Sequence, residues 1–245
     1  MIFKAHFSSS AGNLYELISA SGQRMLIDPG VTWAKLQKAL KYDLSNIDGV
    51  CCGHFHADHS KSAGKVLEAG IDLFASKETL DALDLCGCRH SHVIEDERRF
   101  SIGQTFECFP FSLQHDAEGA LGFVIYDKSS DENLLYVNDT RSIKQRFGLA
   151  FDIVAICCGY DINVLRKREA DGTIDPSLAK RLLLSHMEAE TTKLYLRDCC
   201  CLDQCTEIHL LHCSRGNLGA EKVRRDIEAE FFTKTIIAGK ASNAK

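Results

Sequence analysis

The stretch CCGHFHADHSKSAG, residues 51–64, places His54, His56, Asp58 and His59 within six positions, directly after the apolar run DGVCC. A segment with helical periodicity follows it. In extended backbone, side chains two residues apart point the same way, so His54 and His56 can converge on one cation and leave Asp58 and His59 to face a second. Imidazole suits zinc, iron or manganese, and a hard carboxylate beside it suits a site that keeps a water molecule. Two cations need more ligands than four side chains supply. Further candidates stand where apolar runs give way to polar residues: His115 after FECFPFSLQ, Asp139 after NLLYVN and His212 after EIHLL.

Working outward from this stretch, short β-like runs alternate with amphipathic segments. IFKAHF, LYELIS and MLID are separated by turn signals at Gly12, Asn13, Ser21 and Gly22, and predict an antiparallel meander. TWAKLQKALK (32–41), SAGKVLEAG (62–70) and KETLDALDL (77–85) carry helical periodicity, with strands expected at DGVCCGH and IDLFAS between them. HVIEDERRFSIG (92–103), TFECFPFSLQ, GALGFVIYD, NLLYVND and FDIVAICCG predict a second set of strands. Helices follow at SLAKRLLLSHM and TTKLYLRDCC, then strand EIHLLHC, helix AEKVRRDIEAEF and strand TKTIIAG. Two halves, each sheet then helix, predict an α+β fold, a four-layer αββα sandwich. Three prolines and no Ser/Gly-rich linker place residues 1–245 in one domain.

Composition narrows the function class. With 29 basic and 34 acidic residues the formal charge is −5, so no global basic field drives the chain onto nucleic acid or anionic lipid, and any such contact is local. The longest mainly apolar stretch, near Phe151 to Cys158, spans about eight residues with Asp152 inside it, against the roughly 20 a membrane helix needs. His6 and the polar run from Ser8 come too early for an export signal, so the twelve cysteines are expected reduced and the protein cytoplasmic. Cys51, Cys52, Cys157 and Cys158 lie in apolar runs and are expected to pack as small hydrophobes. Cys199, Cys200, Cys201 and Cys205 lack the paired spacing of structural zinc sites.

These residues together resemble the metallo-β-lactamase superfamily across residues 8–217. Asp28 in MLIDPG matches its first motif, His54-Phe55-His56-Ala57-Asp58-His59 the second, and His115, Asp139 and His212 the third, fourth and fifth. The resemblance implies a metallo-β-lactamase fold. It also implies one cation on His54, His56 and His115, a second on Asp58, His59 and His212, Asp139 bridging both, and Asp28 standing behind the ligands. Asp58 is carried as a catalytic residue as well as a ligand. The implied cofactor is a pair of divalent metal ions, zinc first, with manganese or iron also accepted by the same donors.

Two cations close together bring a bridging water toward neutrality as hydroxide and stabilise charge on both the attacked group and the leaving oxygen, so hydrolysis is the expected chemistry. Lactamases of this superfamily usually carry Cys at the fourth motif, where this chain has Asp139. The segment LLLSHMEAETTKLYL (182–196) resembles the His-Glu-Ala-Thr motif of tRNase Z, which makes His186 the expected general acid. FSSSAGNLYELIS and LLHCSRGN resemble single-domain YycJ-type exonucleases and their phage-borne relatives, although that family usually has an acidic residue and Asn where this chain has Cys157, Cys158 and Gly159. The 73 residues between Asp139 and His212 are too few for an inserted β-CASP domain.

The expectation is therefore a phosphodiesterase or nuclease, exonuclease-like and acting on DNA. The alternatives are a small-molecule hydrolase of thioesters, lactones or cyclic nucleotides, and an inactive metal-binding scaffold. Lys61, Lys65, Arg141, Lys144, Arg146 and Arg215 are the cations expected to hold phosphates, with Arg166, Lys167 and Arg168 as a further cluster.

Overall fold

A computed structural model describes residues 1–214 and 216–239. The first sheet takes its six strands in sequence order: β1 (Ile2–Phe7), β2 (Leu14–Ile18), β3 (Arg24–Ile27), β4 (Ile47–Cys51), β5 (Leu73–Ala75) and β6 (Ser91–Val93). The first three pair antiparallel, as the turn signals require, and β3 through β6 are parallel. Parallel neighbours need crossovers. These are α1 (Trp33–Ala39), then α2 (Ala57–Ser60) with α3 (Ala63–Glu68), then α4 (Lys77–Ala82).

The second sheet opens with antiparallel β7 (Phe100–Ile102), β8 (Phe106–Ser112), β9 (Leu121–Asp127) and β10 (Glu132–Val137). It continues in parallel through β11 (Ile153–Cys157), β12 (Glu207–Leu211) and β13 (Lys234–Ile237). Between β11 and β12 the chain forms α5 (Ile162–Ala170), α6 (Pro176–Ser185) and α7 (Ala189–Cys199), and α8 (Ala220–Phe231) leads into β13.

Side-chain alternation along the strands builds the layers. Met25, Ile27 and Cys51 from the first sheet meet Phe123, Leu134 and Tyr136 from the second in the core between the sheets. The intervening residues Leu26, Val50 and Cys52 turn the other way onto Leu36 of α1 and Val66 of α3. Leu135, Val137 and Val154 pack outward on Leu196 of α7 and Ile227 of α8. The result is the expected αββα stack. Among the described residues no helix is long and apolar enough to cross a membrane.

Two expectations are corrected. The segment 92–103 is not one strand: β6 closes the first sheet, the charged run EDERR turns with Glu97 at φ 57°, and β7 opens the second. Five consecutive charged residues cannot sit in a core-facing strand, and Asp96 instead accepts the Ser112 N–H at 2.8 Å, tying the crossing to β8. The helix α5 was not expected, although Asp161 signals it by accepting the N–H groups of Asn163 and Val164 at its first turn.

Candidate metal centre

The sequence candidates collect at one rim of the two sheets because each follows the end of a strand. Asp28 follows β3, His54 and His56 follow β4, and Asp58 and His59 ride on the short α2. His115 follows β8, Asp139 follows β10, His212 follows β12, and His186 ends α6. Asp28, Asp139 and His212 sit at φ 55°, 41° and 51°, the left-handed region that side chains other than glycine enter only when the surroundings hold them. Backbone strain of this kind gathers where side chains must be aimed.

Two clusters result. The donor atoms of His54, His56 and His115 lie within 4.8 Å of one another, and those of Asp58, His59, Asp139 and His212 form a second group of the same span. His56 Nδ1 is 3.2 Å from both His54 Nε2 and His115 Nε2. Two nitrogens on one tetrahedral zinc are separated by about 3.4 Å, so little movement is needed to close on a cation. In the second group His59 Nε2 is 3.0 Å from Asp139 Oδ2, and His212 Nε2 is 3.6 Å from Asp58 Oδ2 and 3.7 Å from Asp139 Oδ1.

Whether these donors fit a cation can be judged from their hydrogen bonds. Asp139 Oδ1, His212 Nε2 and His186 Nδ1 are buried and have no hydrogen-bond partner among the described residues. Each such atom costs about 1–3 kcal/mol if nothing is bound to it, and Asp139 Oδ1 and His212 Nε2, 3.7 Å apart within the second donor group, fit a cation there. Two of the imidazoles are also oriented through their outer nitrogens. His59 Nδ1 lies 2.7 Å from Asp28 Oδ2, and His115 Nδ1 lies 3.2 Å from the Ser185 carbonyl, which leaves the opposite nitrogen of each ring facing the cluster. Asp28 is in turn fixed by the Gly53 N–H at 2.8 Å and the Tyr136 hydroxyl.

The electrostatics divide the rim. Burial holds His54 well below the ordinary imidazole range, with the neighbouring His59 pushing the same way, and burial takes His115 down to about 4. Both rings are neutral, the form that binds a metal. For His59 burial also opposes charge, but the carboxylates of Asp28 and Asp139 outweigh it and raise its pKa well above 6.5. Burial likewise opposes the charge on His186, yet Asp139, whose Oδ1 is 3.5 Å from Nδ1, lifts it to about 10. Burial would raise Asp139 itself; the attraction of the neighbouring imidazoles, His212 first and then His59 and His186, outweighs it and keeps the carboxylate ionised.

Some residues that build the centre were missed in the sequence. Asn13 donates its backbone N–H at 2.8 Å and its side-chain amide at 3.0 Å to the Asp58 carbonyl, and the same amide nitrogen is 3.1 Å from His59 Nε2. Tyr15 donates to Asn13 Oδ1 at 3.1 Å, and Ser8 accepts the His212 N–H at 2.9 Å. The turn at residues 12–13 is thus a brace on the second cluster. Gly30 is the tightest point: a Cβ there would stand 1.7 Å from the Asp58 carbonyl oxygen. Gly30→Ala is therefore expected to push α2 off the rim and reduce metal uptake at least tenfold, measured by metal analysis of the purified variant, while Gly148→Ala, whose added methyl meets open space, leaves uptake unchanged.

A cleft of 1030 Å³ opens on the rim and runs between the ends of α6 and α8. Its described cations are Arg181 and Lys222, not the expected ones. Lys65 pairs with Glu68 at 2.6 Å, and Arg168 is spent on the Asn217 side chain at 2.7 Å and the Thr173 carbonyl at 2.6 Å. Arg215 lies outside the described residues. Among those described, Cys199, Cys200, Cys201 and Cys205 form no group of three converging donors, and Cys199, Cys200 and Cys205 pack partly against the outer core.

The model of the family described as the beta-lactamase superfamily domain matches residues 23–196. The chain belongs to this superfamily. As a beta-lactamase superfamily member it is a metal-dependent hydrolase. Its curated relative, exodeoxyribonuclease YycJ of Bacillus anthracis, is 25% identical over 256 residues, covering 98% of this chain and 92% of that one. Solved structures share the fold. The metallo-beta-lactamase fold protein YhfI of Bacillus subtilis superposes with a TM-score of 0.71 at 15% identity, covering 97% of this chain and 96% of the other. The short form of human tRNase Z superposes with 0.61 at 14%, covering 98% and 96%. The superfamily match ends before His212, so one candidate ligand comes from outside the matched span.

Proposed function

We propose that this hydrolase is a phosphodiesterase that degrades DNA from an end, with two divalent cations as cofactor, zinc first and manganese or iron also accepted. His54, His56 and His115 would hold one cation, Asp58, His59 and His212 the other, and Asp139 would lie between them. The observation that carries the reading is His186, set against Asp139 beside the two donor clusters and opening on the cleft. The likeness to the YycJ exodeoxyribonuclease along nearly the whole chain supports DNA as substrate.

Bound at these donors, the cations would supply an activated water and stabilise charge on the attacked phosphate. The remaining work falls to the chain. With its pKa near 10 in the cation-free protein, His186 carries a proton on the nitrogen that faces Asp139, and that proton can pass to the departing oxygen. Arg181 and Lys222 provide charge along the cleft for phosphates away from the cleaved bond.

The test is a panel: the cation-loaded chain against end-phosphorylated single- and double-stranded DNA, RNA, bis-p-nitrophenyl phosphate and a thioester. Cation-dependent loss of DNA from its ends is expected. Turnover of the thioester with no phosphodiester cleaved would overturn the proposal in favour of a small-molecule hydrolase.

Metal linkage is also expected in stability. At free cation about a thousandfold above Kd, binding to the folded state adds about 4 kcal/mol, so chelation lowers the thermal midpoint. Because His59 is protonated in the cation-free protein, a cation must displace that proton, and its affinity falls about tenfold for each pH unit below the His59 pKa. Isothermal titration in buffers of different ionisation enthalpy measures the released proton.

A further inference from the structure

Beside the two histidine-rich clusters lies a third, whose members are Asp139, Cys157 and His186. Their carboxylate, thiol and imidazole atoms all lie within 4.8 Å of one another, and all three residues are buried. The thiol cannot drift away. Cys157 ends β11, pairs with Leu211 of β12, and its carbonyl accepts the Thr192 hydroxyl at 3.0 Å. His186 is brought in by the absence of a side chain opposite it, since a Cβ on Gly159 would stand 2.7 Å from the His186 Cβ. The Gly159 N–H also bonds the Met187 carbonyl at 2.8 Å, which locks the two segments together.

Asp139 Oδ1 and His186 Nδ1 face each other at 3.5 Å. Asp139 Oδ1 and His186 Nδ1 have no hydrogen-bond partner among the described residues, and the residues are 3% and 7% exposed. A carboxylate oxygen has more than one lone pair, so Oδ1 can serve a cation here while the carboxylate also serves the main centre. A sulfur, a nitrogen and an oxygen donor with a fourth place for water is a zinc-type set, and the thiolate selects zinc, cobalt or cadmium over magnesium or manganese.

We propose that Asp139, Cys157 and His186 form a third, inhibitory site for a thiophilic divalent cation. Binding releases the thiol proton of Cys157 and the proton on His186 Nδ1 to solvent, with no change of oxidation state. The inhibition rests on the proposed proton-donor role of His186, because the cation takes the nitrogen that would donate; the binding does not depend on it.

The experiment loads the chain with two equivalents of manganese, then titrates cobalt and follows the thiolate-to-cobalt charge-transfer absorption together with DNA turnover. One equivalent producing the band is expected, with turnover falling about tenfold or more, and neither change in Cys157→Ser. No band in the native chain, or an equal band in Cys157→Ser, overturns the site. Should Cys157→Ser fail to fold, His186→Gln takes its place and is expected to weaken cobalt binding at this site about tenfold; an unchanged titration overturns the proposal. A band without loss of turnover leaves the site standing and overturns its inhibitory role. The band is read without any activity, so failure of the nuclease assignment is told apart from failure of the site.

Discussion

Asp139→Asn lowers the metal content from two cations per chain to one or fewer and reduces kcat/KM by about a thousandfold, about 4 kcal/mol of transition-state stabilisation. The size follows from where this carboxylate stands. Among the described residues it is the one carboxylate within 4 Å of His59, His212 and His186, at 3.0, 3.7 and 3.5 Å, and its backbone is held in the left-handed region to put it there. An amide keeps the volume but removes the charge that raises His59 and His186, and one of its two donors to a cation becomes an N–H. Because burial alone would disfavour ionised Asp139, the fold gains little from the charge by itself, so the variant should fold with near-native circular dichroism. Metal analysis and turnover on the same sample check it. Full metal content with native turnover would place the centre elsewhere.

His186→Ala separates binding from chemistry. Loss of a positioned proton donor costs typically about 10²–10⁴ in kcat, whereas metal content should stay at two, since His186 belongs to neither of the main donor groups. The pH profile gives the sign. His186 is protonated below its pKa, which Asp139 raises to about 10 in the cation-free chain, so turnover that uses this proton persists at neutral pH and falls as pH climbs through that pKa. Bound cations offset the Asp139 charge and bring the alkaline limb to lower pH. In His186→Ala the limb disappears. An unchanged limb would assign the proton to another group.

The sequence made the strand layers legible because β3 and β10 alternate between two apolar surroundings, as Met25, Leu26 and Ile27 illustrate. It made the donors legible because each stands where such a run ends. What it could not carry is the set of contacts that only folding creates. Asn13 and Asp58 are 45 positions apart, and nothing in either neighbourhood marks the bond between them. Gly30 reads as an ordinary turn after Pro29, although its want of a side chain is what admits the Asp58 carbonyl. Charge adjacency misled in the same way: Arg168 belongs to a basic run but is consumed by Thr173 and Asn217, while Arg181 and Lys222 reach the cleft from two different helices. Cys157 reads correctly as a buried strand residue, yet its thiol also faces His186 and Asp139.

The most direct test of the two-cation centre is anomalous diffraction at the zinc edge from crystals of the chain grown with zinc at two equivalents. The account predicts two strong peaks, one among His54, His56 and His115 and one among Asp58, His59 and His212, with Asp139 between them. A single peak, or peaks only at the cysteines, would contradict it.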